Sequence, residues 1–121
     1  MGKNTCDCNI IHFDLVENAK RTILNESDLN KITNIYKALA DSTRIRIINI
    51  LQNNALCVCD ICSILNMTKS AVSHQLKYLK ERKLIKCTRK GKEVWYSLLD
   101  NHIKQVFEIS LEHIMEKNND K

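Results

Sequence analysis

Apolar residues recur along most of this chain at three- and four-residue spacing, and over one short stretch at every second residue. The first period is that of an amphipathic helix and the second that of a half-buried strand. Residues 1–12 are polar and read as a loose arm carrying Cys6, Cys8 and His12. A helix is predicted over about 13–24 from Phe13, Val16, Ala19, Ile23 and Leu24, with Leu15 at its margin. Asn25, Glu26 and Ser27 make a loop, and Leu29, Ile32, Ile35, Tyr36 and Leu39 predict a second helix over 28–40. Asp41 and Ser42 are N-cap residue types that open a third helix, with Ile45, Ile48 and Leu51 inward and Arg44 and Arg46 available to solvent.

Val58, Ile61 and Leu65 then form the stripe of a short helix, Asn66 and Met67 a turn, and Thr68 the cap of a following helix. This last helix sends Val72, Leu76 and Leu79 inward. Lys69, Ser70, Ser73, His74, Lys77 and Tyr78 collect on its outer face, short donors first and cations after. That is the layout of a helix-turn-helix whose second helix enters a major groove by its N-terminal half. After Leu84 the period drops to two. Ile85 and Cys87 alternate with polar neighbours, Arg89-Lys90-Gly91-Lys92 turns the chain, and Val94, Tyr96 and Leu98 alternate again. A β-hairpin with a cationic tip is expected, lying as a wing against a DNA backbone. A final helix spans about 101–117. The fold class is therefore mainly α with a β-hairpin wing, a winged helix-turn-helix. The arm at 1–12 precedes one DNA-binding and dimerisation domain at 13–121.

Composition sharpens this picture. With 121 residues the chain has one domain's length, and two Gly with no Pro suit a helical protein. No apolar run nears the roughly 20 residues of a membrane span, and the opening MGKNTCDCN lacks the apolar core of a secretory signal. A cytoplasmic protein with no membrane partner is expected. The net charge is +5, yet residues 69–92 hold nine Lys/Arg against the single Glu81, which leaves −3 for the rest. Such concentration is the footprint of a phosphate-contacting surface. Enzymatic chemistry finds no support. Cys59-Asp-Ile-Cys62 has thioredoxin spacing but no βαβ pattern around it, and Gly2 and Gly91 build no phosphate-cradling loop, so no small-molecule substrate is expected.

On the final helix Ile103, Val106, Phe107, Ser110 and Ile114 share one face, wide enough to bury against a partner. Beside it run His102, Ile109, His113 and Glu116, with Asp100 just before the helix. His113 and Glu116 can share an ion, as can Asp100 and His102. The eleven residues between the histidines span roughly 16 Å at 1.5 Å per residue, too far for one ion within one chain. Antiparallel pairing of two copies brings the pairs together as two symmetric His₂-carboxylate₂ sites suited to Zn(II). Four ordinary polar residues flanking a dimer face remain the plain alternative.

Six cysteines in a reducing compartment point to metal or redox chemistry rather than a disulfide framework. Cys57 and Cys59 converge only if Cys57 precedes the helix proper, whereas Cys59 and Cys62 share a helical face. Two arrangements stay open. Cys57, Cys59 and Cys62 can form a trigonal site for As(III), Sb(III) or Pb(II); Cys57 and Cys59 can instead be completed by Cys6 and Cys8 for Cd(II), Pb(II) or Zn(II). A Cys59–Cys62 disulfide switch is a third reading. Cys87, on a strand, reads as a buried structural thiol.

The segments KALADSTRIRIINIL (37–51), LCVCDICSIL (56–65), SAVSHQLKYLKERKLI (70–85) and RKGKEVWYSL (89–98) resemble the ArsR/SmtB metal-responsive repressors, most closely their cadmium/lead-responsive CadC branch. The resemblance covers nearly all the chain beyond residue 28. It implies a homodimeric winged helix that represses metal-efflux genes and leaves operator DNA when metal binds. It further implies that Cys57 and Cys59 are sensing ligands joined by Cys6 and Cys8 of a partner's arm, and that Asp100, His102, His113 and Glu116 form an intersubunit zinc site. Ser70, Ser73, His74 and Lys77, with Lys69 beside them, are the expected groove contacts, and Arg89, Lys90 and Lys92 the backbone contacts. Two features depart from the branch. The arm spaces its cysteines C-x-C, more tightly than the CadC pattern, so that His12 can stand in for one of them. Cys62 completes CVCDIC, which is similar to the arsenite-sensing branch.

Overall fold

A computed structural model describes residues 9–119, with side chains through Glu116. The chain divides between Lys31 and Ile32 into two units. In the first, α1 (Phe13–Lys20) buries none of its residues, and Phe13, Leu15 and Ile23 stay largely exposed. It ends four residues earlier than its periodicity suggests. Thr22 donates from its hydroxyl and its backbone N–H to the Ala19 carbonyl, at 2.8 and 3.0 Å, and this local turn competes with a further helical turn. Asn25 Oδ1 accepts from the Asp28 N–H at 2.8 Å, starting α2 (Glu26–Leu39).

The second unit holds the hydrophobic core. α3 (Ser42–Ile50) is capped as expected, with the Asp41 carboxylate accepting from the Arg44 N–H at 3.0 Å. Its buried face is Ile47 and Ile48, continued by Leu51; Ile45 is only half-buried. Ile48 and Leu51 are thus buried as predicted, and Ile47, four residues before Leu51, takes the inward place expected of Ile45. Arg44 is not free in solvent either. Its Nε donates to the Ala38 carbonyl at 2.6 Å, and its guanidinium lies 4.2 Å from the centre of the Tyr78 ring, which Arg82 approaches to 3.5 Å. Tyr78 is thus a half-buried platform for two arginines rather than part of the outer face.

β1 (Leu56–Cys57) leads directly into α4 (Val58–Leu65), which ends at Asn66 in the left-handed region (φ 53°), where Met67 N–H reaches back to Cys62 O at 3.1 Å. Thr68 Oγ1 accepts from the Ala71 N–H at 3.1 Å and starts α5 (Lys69–Glu81). Val72, Leu76 and Leu79 of α5 are the buried residues the periodicity predicted. Lys83, at φ 60°, closes the helix by letting Leu84 N–H reach Leu79 O at 3.0 Å.

The wing consists of β2 (Ile85–Lys90) and β3 (Glu93–Leu98), antiparallel from Ile85↔Leu98 to Lys90↔Glu93. Gly91 takes φ +63° as the first of two loop residues, where a II′ hairpin turn demands a positive φ. The sheet has a third strand that periodicity did not reveal. β1 pairs antiparallel with β3 as Leu56↔Tyr96 and Cys57↔Trp95, giving the order β1-β3-β2. Two residues are too few to show a period of two. α6 (Asn101–Asn119) closes the chain, its start held by Asp100 Oδ1, which accepts from the N–H groups of His102 and Ile103 at 3.0 and 3.3 Å. No described helix is long and apolar enough to cross a membrane.

Leu76 is 1% exposed in the middle of this core. Leu76→Ala is expected to cost about 2–5 kcal/mol through the cavity it leaves, whereas Thr68→Ala, which removes only a cap, is expected to cost about 1 kcal/mol. Urea unfolding of the two variants checks the ranking, with slopes equal to that of the parent.

Candidate metal and nucleic-acid site

Cys57 occupies three structural roles at once. It ends β1, faces Trp95 across the sheet, and is the N-cap of α4 in extended backbone (φ −81°, ψ 165°). It therefore precedes the helix proper, the condition under which its sulfur and that of Cys59 can converge. Asp60 Oδ2 accepts from the Cys57 N–H at 3.0 Å, and the Cys57 sulfur receives the Asp60 N–H, a reciprocal capping box. Burial pushes the Cys57 thiol pKa up, and the charges of Asp60 and Glu93 beside it, with the Asp60 hydrogen bond, push it further. Cys59 is exposed in the first turn of the helix, while Cys62 is half-buried and packs against the core; all are free thiols, as is Cys87.

Among the described residues no group of three or more His, Cys, Asp or Glu gathers to hold a metal ion. Cys6 and Cys8 lie outside the described residues. Cys57 and Cys59 thus offer two soft donors, short of the three or four that thiolate metal sites use, and the chemistry of that pair suits a thiophilic ion once further donors arrive. His12 is exposed just before α1.

On α5 the side chains of Lys69, Ser70, Ser73, His74 and Lys77 are exposed together. Arg89, Lys90 and Lys92 are exposed at the tip of the wing, and the Lys90 ammonium lies 5.9 Å from the centre of the Trp95 ring. Cys87 on β2, next to Lys80, holds its ammonium pKa above the ordinary value through hydrogen bonding and charge. The arrangement presents helix-borne donors and a separate cationic tip, the two contacts a winged helix makes with a duplex.

At the head of α6, His102 Nδ1 lies 3.4 Å from Asp100 Oδ2. Desolvation raises the Asp100 carboxyl pKa, but hydrogen bonds from Ile103 and His102 outweigh it and hold the group below the usual carboxylate range. His113 and Glu116 are exposed further along the helix. The five residues expected to share one face of α6 do share one: Ile103, Val106, Phe107, Ser110 and Ile114 all line an apolar groove of about 480 Å³ against α2 and α3. Two neighbours of the cysteine site escaped the sequence reading. Trp95 and Glu93 reach Cys57 through the β1–β3 pairing, whose two-residue strand leaves no pattern to find.

A basic helix-turn-helix with a hairpin wing and a thiol pair at the head of its first helix defines a winged-helix transcriptional regulator. Residues 41–86 match the model of the family described as bacterial regulatory protein, arsR family. A cadmium resistance transcriptional regulatory protein CadC homolog from Staphylococcus aureus is 36% identical over 93% of each chain. A transcriptional repressor SmtB homolog from Synechocystis sp. is 33% identical over 92% of this chain and 84% of its own. Among solved structures, an antimony-specific transcriptional repressor, AntR, superposes with a TM-score of 0.71 at 28% identity, covering 80% of this chain and 88% of that one. The chain belongs to the ArsR/SmtB family of metal-responsive transcriptional repressors, and it is not an enzyme.

Asp60→Asn removes the largest of the neighbouring charges that oppose ionisation of Cys57, while an amide oxygen keeps the cap. The sign follows directly: with less negative charge nearby the thiolate is less disfavoured, so Cys57 ionises at lower pH than in the parent. The pH dependence of iodoacetamide alkylation, followed on the Cys57 peptide by mass spectrometry, measures the shift.

Proposed function

We propose that this protein is a cytoplasmic homodimer that represses a heavy-metal efflux or resistance operon and leaves its operator when Cd(II), Pb(II) or Zn(II) binds at Cys57 and Cys59. Cys6 and Cys8 of a partner's arm complete the ligand set, with His12 able to replace one of them. The observation that carries this reading is the position of Cys57, held by Asp60 at the head of the first helix of the helix-turn-helix and paired to the wing. Thiolate ligands must lose their protons, so binding at this pair weakens in acid. Lys69, Ser70, Ser73, His74 and Lys77 contact the major groove, and Arg89, Lys90 and Lys92 the phosphates.

The apolar groove on α6 supports the dimer, since Val106, Leu111 and Ile114 leave 38%, 45% and 56% of their surfaces exposed along it. Two copies of α6 running antiparallel across it bring Asp100 and His102 of one to His113 and Glu116 of the other, a second site for Zn(II). A coupling of a few kcal/mol is sufficient for release, because about 1.4 kcal/mol is tenfold in affinity.

The runner-up is a repressor responsive to As(III) or Sb(III) through Cys57, Cys59 and Cys62, and the likeness to an antimony-specific repressor favours it. The packing of Cys62 against the core weighs the other way.

Titrating metal into the reduced full-length protein, with thiolate-to-metal absorption and operator affinity read together, tests both. Cys57→Ser and Cys59→Ser are each expected to lower metal-driven release by at least about tenfold; operator affinity that ignores metal in the parent overturns the sensor reading. Cys62→Ser is expected to keep the Cd(II) response, whereas on the runner-up reading it abolishes release by As(III). Arg89→Ala is expected to weaken operator and random DNA alike and to reduce the salt dependence of log affinity by about 1.

A further inference from the structure

Trp95 is the single tryptophan of the chain, and its indole N–H is buried with no hydrogen-bond partner. Buried donors in folded proteins are nearly always met, so this one calls for an acceptor. The strand register supplies a candidate. Trp95 is directly opposite Cys57 across β1 and β3, and directly opposite Thr88 across β3 and β2. Opposed residues of an antiparallel pair project to the same face with their Cβ atoms about 4.5–5.5 Å apart, so the Trp95 and Cys57 side chains leave the sheet on one face as neighbours. A neutral thiol is a weak acceptor, whereas an anionic sulfur accepts strongly. The far side of Trp95 leads to DNA-contacting chemistry, since the Lys90 ammonium sits 5.9 Å from the centre of its ring at the tip of the wing.

We propose that Trp95 is a positioning residue that ties the Cys57 site to the basic wing: its indole N–H donates to the Cys57 sulfur when that sulfur is a thiolate ligand, and the ring carries the change to Lys90. The inference rests on the reading of Cys57 as a sensing ligand. It gives the sensor a second route to DNA besides α4 and α5, through the sheet.

A single tryptophan gives a single indole signal in a ¹H–¹⁵N spectrum, so the test uses the unmodified full-length dimer titrated with ¹¹³Cd(II). The indole proton is expected to move downfield in step with the thiolate-to-cadmium absorption band and to show coupling to ¹¹³Cd through the sulfur. In Cys57→Ser neither change should occur. Trp95→Phe, which keeps an aromatic face and removes the N–H, is expected to bind operator within about twofold of the parent without metal. Its cadmium-driven release should fall by at least about tenfold. An absorption band that grows while the indole signal stays fixed overturns the inference and leaves the Cys57 reading standing. So does full release by a Trp95→Phe protein that binds operator normally. A band that never forms, or that persists in Cys57→Ser, overturns the Cys57 reading and this inference with it. Should Trp95→Phe lose operator binding outright, the indole spectrum of the parent decides alone.

Discussion

The hydrogen bonds exchanged by Cys57 and Asp60 fix where a strand stops and a helix starts, and the geometry of the DNA-facing half of the protein follows from that point. Because Cys57 is the N-cap, the axis of α4 is set relative to β1. Because β1 pairs with β3, the same residue sets the root of the wing. α4 then delivers the chain through the left-handed Asn66 and the Thr68 cap into α5. A ligand that reorients the Cys57 sulfur acts on an atom from which helix and sheet both radiate. Few other positions in a chain this size have that property, and a surface cysteine in mid-helix would not.

The electrostatics of the same point argue for a soft effector. Burial and the charges of Asp60 and Glu93 favour the protonated thiol at Cys57, so any ion must displace a proton held more firmly than usual. Ions that bind thiolate sulfur strongly overcome that competition, whereas hard ions such as Mg(II) or Ca(II) gain too little from sulfur to do so. The acidic neighbours that hinder ionisation also favour a bound dication by charge. Both effects act on the one sulfur proposed as a sensing ligand. The opposite balance holds along α5 and the first wing strand, where residues 69–92 carry nine Lys/Arg against Glu81 alone.

Most of the fold was legible because it is written in long periodic segments. α2, α5, α6 and both wing strands fall within a residue or two of where apolar spacing puts them, and the caps at Asp41 and Thr68 are where side-chain chemistry demands. The failures are local competitions. Thr22 diverts the end of α1 through its own hydroxyl, and Arg44 trades solvent for the Ala38 carbonyl and the Tyr78 ring. Neither leaves a trace in hydrophobic pattern. β1 was invisible for a related reason: two residues become a strand only when β3 is alongside, a tertiary fact. The cysteine cluster could be read as chemistry from its spacing, but its linkage to Trp95 could not.

The described residues gather no metal site within one chain, and the proposed ligand sets explain why. In the proposed set Cys57 and Cys59 take their remaining donors from a partner's arm, and Asp100 with His102 stands roughly 16 Å along α6 from His113. On the proposed ligand sets, both sites would close only when a second copy is present. Metal binding, dimer formation and the spacing of two recognition helices are then one linked equilibrium, because an ion that binds only the dimer stabilises the dimer by mass action. A trigonal site built from Cys57, Cys59 and Cys62 would lack this linkage, since all three sulfurs come from one short segment of one chain. The groove on α6, with apolar side chains left uncovered along it, is what makes the linked arrangement the more economical account of this sequence.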